Sequence, residues 1–174
     1  LGVAFGVYHS TFAMAASDRF HLEAQDLGFL HSLGGILGVV TNTLLVGVVT
    51  KNVGQRGVIT TSTAVLAVSL LAYTQATAWV HLFALCIPMA VASTFIYTVL
   101  TVAVTDRVPA ADTGTSIGLS HANRSLSGIL TPSLGGLLLQ RYGFPSIGIV
   151  ASSIASSAAL YVWFVVKHVP PKRD

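Results

Sequence analysis

The sequence predicts an all-α membrane protein with six transmembrane helices. Of its 174 residues, 53% are hydrophobic and 9% are charged, and the mean hydropathy is +0.75. Soluble domains carry roughly 25% charged residues, so this composition is typical of membrane proteins. Apolar stretches recur along the chain with short polar connections between them. A stretch of about 20 apolar residues is long enough to cross a hydrocarbon core of about 30 Å as a helix.

The six predicted helices are separate apolar segments, at residues 1–17, 27–50, 58–78, 80–104, 113–139 and 147–167. They are too long for membrane strands and lack the alternating pattern that such strands show. The first segment is short, and Leu1 stands inside an apolar run without a basic region before it. We therefore expect a fragment of a longer protein and no signal peptide.

The Lys and Arg residues sort by side of the membrane. Of the nine, Arg19 and Arg141 fall on one side, and Arg124 lies inside the fifth segment. The other six fall on alternate connections and on the C-terminal tail: Lys51, Arg56, Arg107, Lys167, Lys172 and Arg173. The positive-inside bias then predicts that the connections KNVGQRG and DRVPAAD, and both ends of the chain, are cytoplasmic.

The basic residues form no stripe, so we expect no nucleic-acid partner despite the net charge of +3. The single cysteine, Cys86, excludes an internal disulfide and a cysteine-based metal site. No phosphate-binding loop or metal-ligand spacing is present, and we expect neither a cofactor nor a metal.

The second and fifth segments share a pattern, GFLHSLGGILG and GLSHANRSLSG, separated by 90 residues. The spacings of 3, 4 and 3 place four residues of each on one helical face. These residues are Gly28, His31, Gly35 and Gly38, and Gly118, His121, Ser125 and Gly128. The pattern predicts two inverted three-helix repeats. The alternative is chance, because the chain contains 16 glycines.

The stretch GVVTKNVGQRG, between the second and third segments, fits a loop pattern of major facilitator transporters, G-x-x-x-D-x-x-G-[R/K]-R. Gly47, Gly54 and Arg56 match, whereas Lys51 replaces the acid and Gln55 replaces a base. The pattern implies a tight loop whose arginine pairs with neighbouring helix ends and biases which conformation is closed. The alternative is a basic turn that only sets topology.

Three further stretches, FHLEAQDLGFL, VPAADTGTSIGL and TPSLGGLLLQRYG, extend the similarity from about Phe20 to Gly148. Together they resemble major facilitator transporters, and among these the organic-cation-transporter-like proteins of solute carrier family 22. The resemblance implies two six-helix halves around a central substrate site, with alternating access. On this interpretation the chain is the C-terminal half, and the N-terminal six-helix half is missing.

The resemblance also implies which helices face the other half and which line the cavity. The middle helix of each three-helix repeat lies between the halves, and the first and fourth helices line the substrate cavity. The candidate substrate walls are therefore Tyr8, Phe12, Phe95 and Tyr97, with contact to lipid or to the core as the alternative. Small residues let helix backbones approach closely. The candidate packing residues are Gly35, Gly38, Gly114, Gly118, Gly128 and Gly135.

Arg124 lies near the middle of the fifth segment, where an arginine costs at least about 2.5–3.5 kcal/mol. Three interpretations remain open. Its side chain can extend toward the cytoplasmic side, it can pair with the missing half, or it can bind an anionic group or act in gating. None of the six carboxylates of the chain lies in mid-membrane, so the sequence offers it no ion pair at that depth.

His31 and His121 are candidates for hydrogen bonding inside the membrane or for carrying protons. Asn42 and Asn123 can form hydrogen bonds across helices. An intramembrane enzyme is not expected, because adjacent helical residues such as Ser120 and His121 point about 100° apart and cannot form a nucleophile–base pair.

The leading hypothesis is thus a fragment of a secondary transporter in the lipid bilayer that moves small organic solutes. Organic cations, drugs and proton coupling are its candidate specifics. The alternative is a truncated, non-transporting membrane protein that binds or regulates other membrane proteins.

Overall fold

The computed structural model describes residues 6, 9, 12, 16, 17, 20 and 22–165, and every regular element among them is helical. Most of the predicted first segment, 1–17, lies outside these residues. The elements are α1 (Ala24–Val40), a π-helical segment (Thr41–Leu45), α2 (Val46–Thr74), α3 (Trp79–Thr105), a short 3-10 turn (Ala110–Asp112), α4 (Thr113–Tyr142) and α5 (Phe144–Val165).

Local hydrogen bonds mark where these helices begin and end. α1 begins after Glu23, whose backbone N–H donates to the Asp26 carboxylate at 3.1 Å. This satisfies a donor that has no partner within the first helical turn. α4 ends at Gly143, which has a φ of 74° and donates its N–H to the Leu139 carbonyl at 3.0 Å. A positive φ is easily adopted by glycine, so Gly143 allows α5 to begin directly after α4.

The predicted connection at 51–57 is a break of one residue. Gly54 has a φ of 80° and a ψ of 154°, and helix continues on both sides of it. A tight loop was expected here, and the structure instead concentrates the turn in a glycine, which adopts these angles without a steric cost. The second and third predicted segments are therefore two helical stretches that meet at Gly54 within the range Ala24–Thr74.

Contacts with α3 show that α1 runs parallel to it. The Cys86 sulfur lies 3.7 Å from the Leu30 carbonyl oxygen, and the Thr98 hydroxyl donates to the Asn42 side-chain oxygen at 3.0 Å. Both partners advance by 12 residues between the two contacts. α1 and α3 therefore have the same direction.

The part of α2 after Gly54 runs antiparallel to α3. The Gln55 side chain, at its start, donates to Asp106, just past the end of α3, at 2.8 Å. Tyr73, near the end of α2, shares a buried cluster with Leu82, near the start of α3. The helical run therefore reverses its direction at Gly54.

The core lies along α2, which packs between α3 and α5. Leu66 and Leu70 of α2 are 2% and 1% exposed, and Ala151 and Ala155 of α5 are completely buried against them. Small residues on α5 let its backbone approach α2, which is the usual basis of helix packing in membranes.

α4 lies at the periphery. Its buried residues are Ser127, Thr131 and Gly135. The runs Ala24–Thr74, Trp79–Thr105 and Phe144–Phe164 are apolar and long enough to cross a membrane. Among the long helices that the structure describes, α4 is outside this group. Its middle carries serines, a histidine, an asparagine and an arginine, which lower its hydropathy. An all-helical membrane protein is thus confirmed, while the six-helix count and the inverted repeats stay predictions.

Candidate functional site

A cavity of about 230 Å³ lies beside α1 and α3. Its walls are mainly apolar, with several small and polar side chains. The lining residues are His9, Phe12, Leu30, His31, Gly34, Gly35, Cys86, Met89, Ala90, Ser93 and Thr94. A mainly apolar concave site with a few polar groups is typical of small-molecule binding sites.

Two histidines lie together at this cavity. The ring centroids of His9 and His31 are 5.5 Å apart, and the rings are nearly perpendicular. The Nδ1 atom of His31 lies 2.8 Å from the Leu27 carbonyl oxygen. Because a carbonyl can only accept, Nδ1 bears a hydrogen in this contact.

The hydroxyl groups of the larger cavity donate hydrogen bonds within their own helix. Ser93 and Thr94 both donate to the Ala90 carbonyl, at 3.0 and 2.8 Å. Their oxygens remain as acceptors, so the described wall of α3 offers a ligand few donors.

A second, smaller cavity of about 40 Å³ lies between α3 and α4. Its walls carry the guanidinium, imidazole and phenol groups of α3 and α4. The lining residues are Tyr97, Thr101, Val104, Ile117, Ser120, His121 and Arg124. The Arg124 Cζ atom lies over the Tyr97 ring, 4.5 Å from its centroid, which is a cation–π contact.

One face of α3 lines both cavities. Residues 86, 89, 90, 93 and 94 line the larger cavity, and residues 97, 101 and 104 line the smaller one. Spacings of three and four residues place all of them along one side of a helix. The two cavities are therefore neighbours along α3, one helical turn apart at their closest positions.

Asn42 and Thr98 connect the π-helical segment to α3 by a hydrogen bond of 3.0 Å. Asn42 is thus positioned by a partner from another helix, next to the turn of α3 that carries Tyr97. The π-helical segment widens the helix at this point, and such segments occur frequently at functional sites.

We expect Thr98→Val to destabilise the protein by about 0.6 kcal/mol, the average value for a hydrogen bond between membrane helices. Thr105→Val is the matched control, because the Thr105 hydroxyl donates to the Val102 carbonyl of its own helix. Thermal unfolding of the purified protein in detergent measures both. Equal losses in the two variants would contradict a role for the contact between helices.

The residues around Gly54 join the ends of three helices. Gln55 bonds to Asp106 past the end of α3. Arg56 donates from Nη2 to the Trp163 carbonyl at 2.7 Å, and its Cζ atom lies 5.7 Å from the Trp163 ring centroid. Trp163 belongs to the last described turn of α5, so Arg56 connects α2 to α5 at this level.

The structure brings some of the predicted site residues together and leaves others apart. Arg124, His121 and Tyr97 share the smaller cavity, whereas His31 lies at the larger one. Asn123 lines neither cavity, and its backbone carbonyl accepts a hydrogen bond from Ser127 at 3.0 Å. Tyr8 lies outside the described residues.

The glycines predicted to pack helices divide into two groups. A Cβ atom added at Gly38 would lie 3.4 Å from the Thr94 hydroxyl oxygen, and Gly135 is buried. An added Cβ would meet nothing within 4 Å at four others: Gly35, Gly114, Gly118 and Gly128. These four therefore pack against nothing within the described chain, and so does the motif residue Gly47.

Several wall residues of the larger cavity were not predicted from the sequence, among them Cys86, Met89 and Thr94. The signal was present as small, polar and sulfur-containing residues at spacings of three and four along 86–101. Gly148 was not predicted as a packing residue either. A Cβ atom added there would lie 2.6 Å from the Leu70 carbonyl oxygen of α2, and Ala151 and Ala155 continue the same face of α5. Within the described residues, no three His, Cys, Asp or Glu side chains are grouped closely enough to hold a metal ion.

Comparisons with known proteins agree on one family. The model of the family described as "Major Facilitator Superfamily" matches residues 1–174. Solute carrier family 22 member 18 of Mus musculus is 32% identical over 163 residues, which are 93% of this chain and 40% of that protein. Solute carrier family 67 member A1 of Homo sapiens is 31% identical over 170 residues, 97% of this chain and 39% of that protein. The chain thus spans about two fifths of the length of these curated relatives.

Proposed function

This chain belongs to the major facilitator superfamily, and we propose that it is part of a secondary active transporter that moves small organic solutes by alternating access. The observation that carries the proposal is the single face of α3 that lines both cavities, with polar groups from α1 and α4 opposite it. A solute site flanked by several helices can be exposed to either side by small movements of those helices.

The solute site that we propose includes the residues of both cavities. Arg124, His121 and Tyr97 supply charged and aromatic groups, and His31 supplies an imidazole whose Nδ1 contacts the Leu27 carbonyl. Asn42 and Asn123 are secondary candidates on the neighbouring turns. The paired rings of His9 and His31 support the proton as the coupling ion, because imidazoles near a solute can carry protons.

The exposed sides of α1 and α4 support a second six-helix half in the complete protein. Gly35, Gly118 and Gly128 leave these helix surfaces open to close approach. We propose that the N-terminal half packs there and closes the solute site. Both ends of the chain are then cytoplasmic, in line with the distribution of Lys and Arg.

The bonds of Gln55 and Arg56 support a conformational role for the Gly54 region. They connect α2 to the ends of α3 and α5 on one side of the molecule. We propose that these bonds hold that side of the half together and bias the protein toward one of its two conformations.

We expect Arg56→Gln to lower the transport rate by about fivefold or more, because a coupling of at least 1 kcal/mol between the conformations would be lost. Arg107→Gln is the matched control, since it removes the same charge from the adjacent connection. Initial rates in proteoliposomes, normalised to folded protein, measure the effect. If both variants lose the same amount, the bonds to Trp163 have no specific role.

The transport proposal is tested with the complete gene product in proteoliposomes. Labelled organic cations, neutral drugs and organic anions are presented with and without a pH gradient, and protein-free liposomes are the control. Uptake of at least one class above the control is expected, and stimulation by the gradient would show proton coupling. A flat response to the whole panel would contradict transport. It would favour the alternative, in which the largely exposed α4 binds other membrane proteins.

A further inference from the structure

We propose that the solute of this transporter is an amphipathic organic anion, whose charged group binds Arg124 and whose apolar body extends along α3 into the larger cavity. The inference rests on the proposed transport function and names the class of solute that the same site would take. The contact that carries it is the Arg124 guanidinium over the Tyr97 ring, at 4.5 Å, in the smaller cavity.

The contact with Tyr97 orients the guanidinium and keeps its hydrogen-bonding edge available. A guanidinium that lies on an aromatic face still has N–H donors around its rim, which match a carboxylate with two parallel hydrogen bonds. His121 lines the same cavity and adds a second nitrogen-bearing side chain. The site thus offers donors and positive charge to a ligand.

The Thr101 and Ser120 hydroxyl groups of this cavity already donate within their own helices and offer no hydrogen to an anion. Thr101 donates to the Tyr97 carbonyl at 2.8 Å, and Ser120 donates to the Ser116 carbonyl at 2.9 Å. Because each of these two hydroxyls has one hydrogen, Arg124, His121 and the Tyr97 phenol are left to supply the donors toward the cavity.

The two carboxylates on the connection between α3 and α4, Asp106 and Asp112, lie far from Arg124 along the helices. Asp112 precedes Arg124 by 12 residues, about 18 Å of helix at 1.5 Å per residue. Asp106 follows Tyr97 by nine residues and is bonded to Gln55 at 2.8 Å. A charged arginine at this depth is costly without a counter-charge or a wet cavity, and a bound anion supplies the counter-charge.

The larger cavity supplies a place for the apolar part of such a solute. It begins one turn of α3 from Tyr97, at Ser93 and Thr94, and continues to Met89 and Phe12. Met89 and Tyr97 are eight residues apart on α3, about 12 Å at 1.5 Å per residue. A carboxylate with an apolar body can extend from Arg124 along this face of α3 toward the larger cavity.

Three probes with one ring system test the charge preference: 2-naphthoate, 2-naphthamide and 2-naphthamidine. Their binding is measured by ligand-induced thermal shift and by titration of the complete gene product in phosphatidylcholine nanodiscs. We expect naphthoate to bind at least about tenfold more tightly than the neutral amide, because charge-assisted hydrogen bonds are worth about 1.5–3 kcal/mol. Tighter binding of the amidine than of the naphthoate would overturn the proposal.

Variants test whether the preference for the anionic probe arises at Arg124. Arg124→Gln is expected to weaken naphthoate binding by roughly 10- to 100-fold and to leave naphthamide binding unchanged. Arg141→Gln removes a charge from the other end of the same helix and should change neither. Arg124→Lys keeps the charge without the planar edge, so it should retain the preference with weaker affinity, and it carries the test if Arg124→Gln does not fold. Tyr97→Leu should weaken naphthoate binding by removing the supporting ring.

The remaining outcomes separate this inference from the proposed function. Arg124-dependent binding of naphthoate without its transport would uphold the anion site and contradict transport. If other solutes are transported but naphthoate does not bind, or binds independently of Arg124, the transport function is upheld and the anion site is contradicted. An Arg124→Gln variant that loses thermal stability but binds naphthoate normally would overturn the anion site and assign Arg124 a structural role. Loss of naphthoate binding in nanodiscs that contain phosphatidylserine would assign the site to a lipid head group and overturn the solute assignment.

Discussion

Replacing Gly148 by alanine is expected to destabilise the protein by about 1–3 kcal/mol, the usual cost of overpacking a tight contact, and replacing it by valine by more. An added Cβ would lie 2.6 Å from the Leu70 carbonyl oxygen and 2.5 Å from the Thr74 Cγ2 atom. The threonine methyl can rotate away. The carbonyl belongs to the backbone of α2, so α2 and α5 would have to separate.

Gly28→Ala is the matched control for Gly148, since Gly28 is also a helical glycine and an added Cβ there meets nothing within 4 Å. Alanine forms helices more readily than glycine by up to about 1 kcal/mol, so no loss is expected. Thermal unfolding in detergent, with the folded fraction from size exclusion, compares the two. Equal unfolding temperatures would contradict the close approach of α2 and α5.

Replacing Tyr73 by alanine is expected to cost about 3–5 kcal/mol, the range found when a large aromatic side chain is removed from a packed core. Tyr73 is 1% exposed. Its ring centroid lies 4.7 Å from that of Phe144 and 6.0 Å from that of Phe12. The ring therefore joins α2 to α5 and to the region before α1, and its removal leaves a cavity between them.

Tyr161→Ala is the control for Tyr73, because Tyr161 is 63% exposed on α5 and a surface substitution changes stability by about 0.5 kcal/mol or less. The measurement is the unfolding midpoint of each variant in the same detergent. A loss at Tyr161 as large as that at Tyr73 would show that the aromatic cluster is not a centre of stability.

The helices of this protein could be predicted because a membrane requires long apolar segments whose backbone groups bond internally. The prediction placed a helix at 80–104, and the structure has Trp79–Thr105. It placed a loop at 51–57, where helix continues on both sides of Gly54. The polar residues of KNVGQRG located this turn, but hydropathy does not show that the chain reverses at the single residue Gly54.

The candidate site could be predicted only in part. Arg124 and His121 stand out because polar groups are costly within an apolar segment. Cys86, Met89 and Ser93 do not stand out, since each is ordinary on a membrane helix. Their importance comes from sharing one face of α3 with Tyr97 and Thr101, opposite other helices.

The amino-acid sequence by itself determined that this is a helical membrane protein, and motifs such as VPAADTGTSIGL indicated its family. Only the tertiary structure decided that α2 lies between α3 and α5, that Arg124 lies over Tyr97, and that two cavities adjoin along α3. The physical reason is that lipid is as apolar as the surface of a neighbouring helix. An apolar residue that faces lipid and one that faces protein therefore look alike in the sequence, and the pairing of helices depends on shapes that form only when they pack.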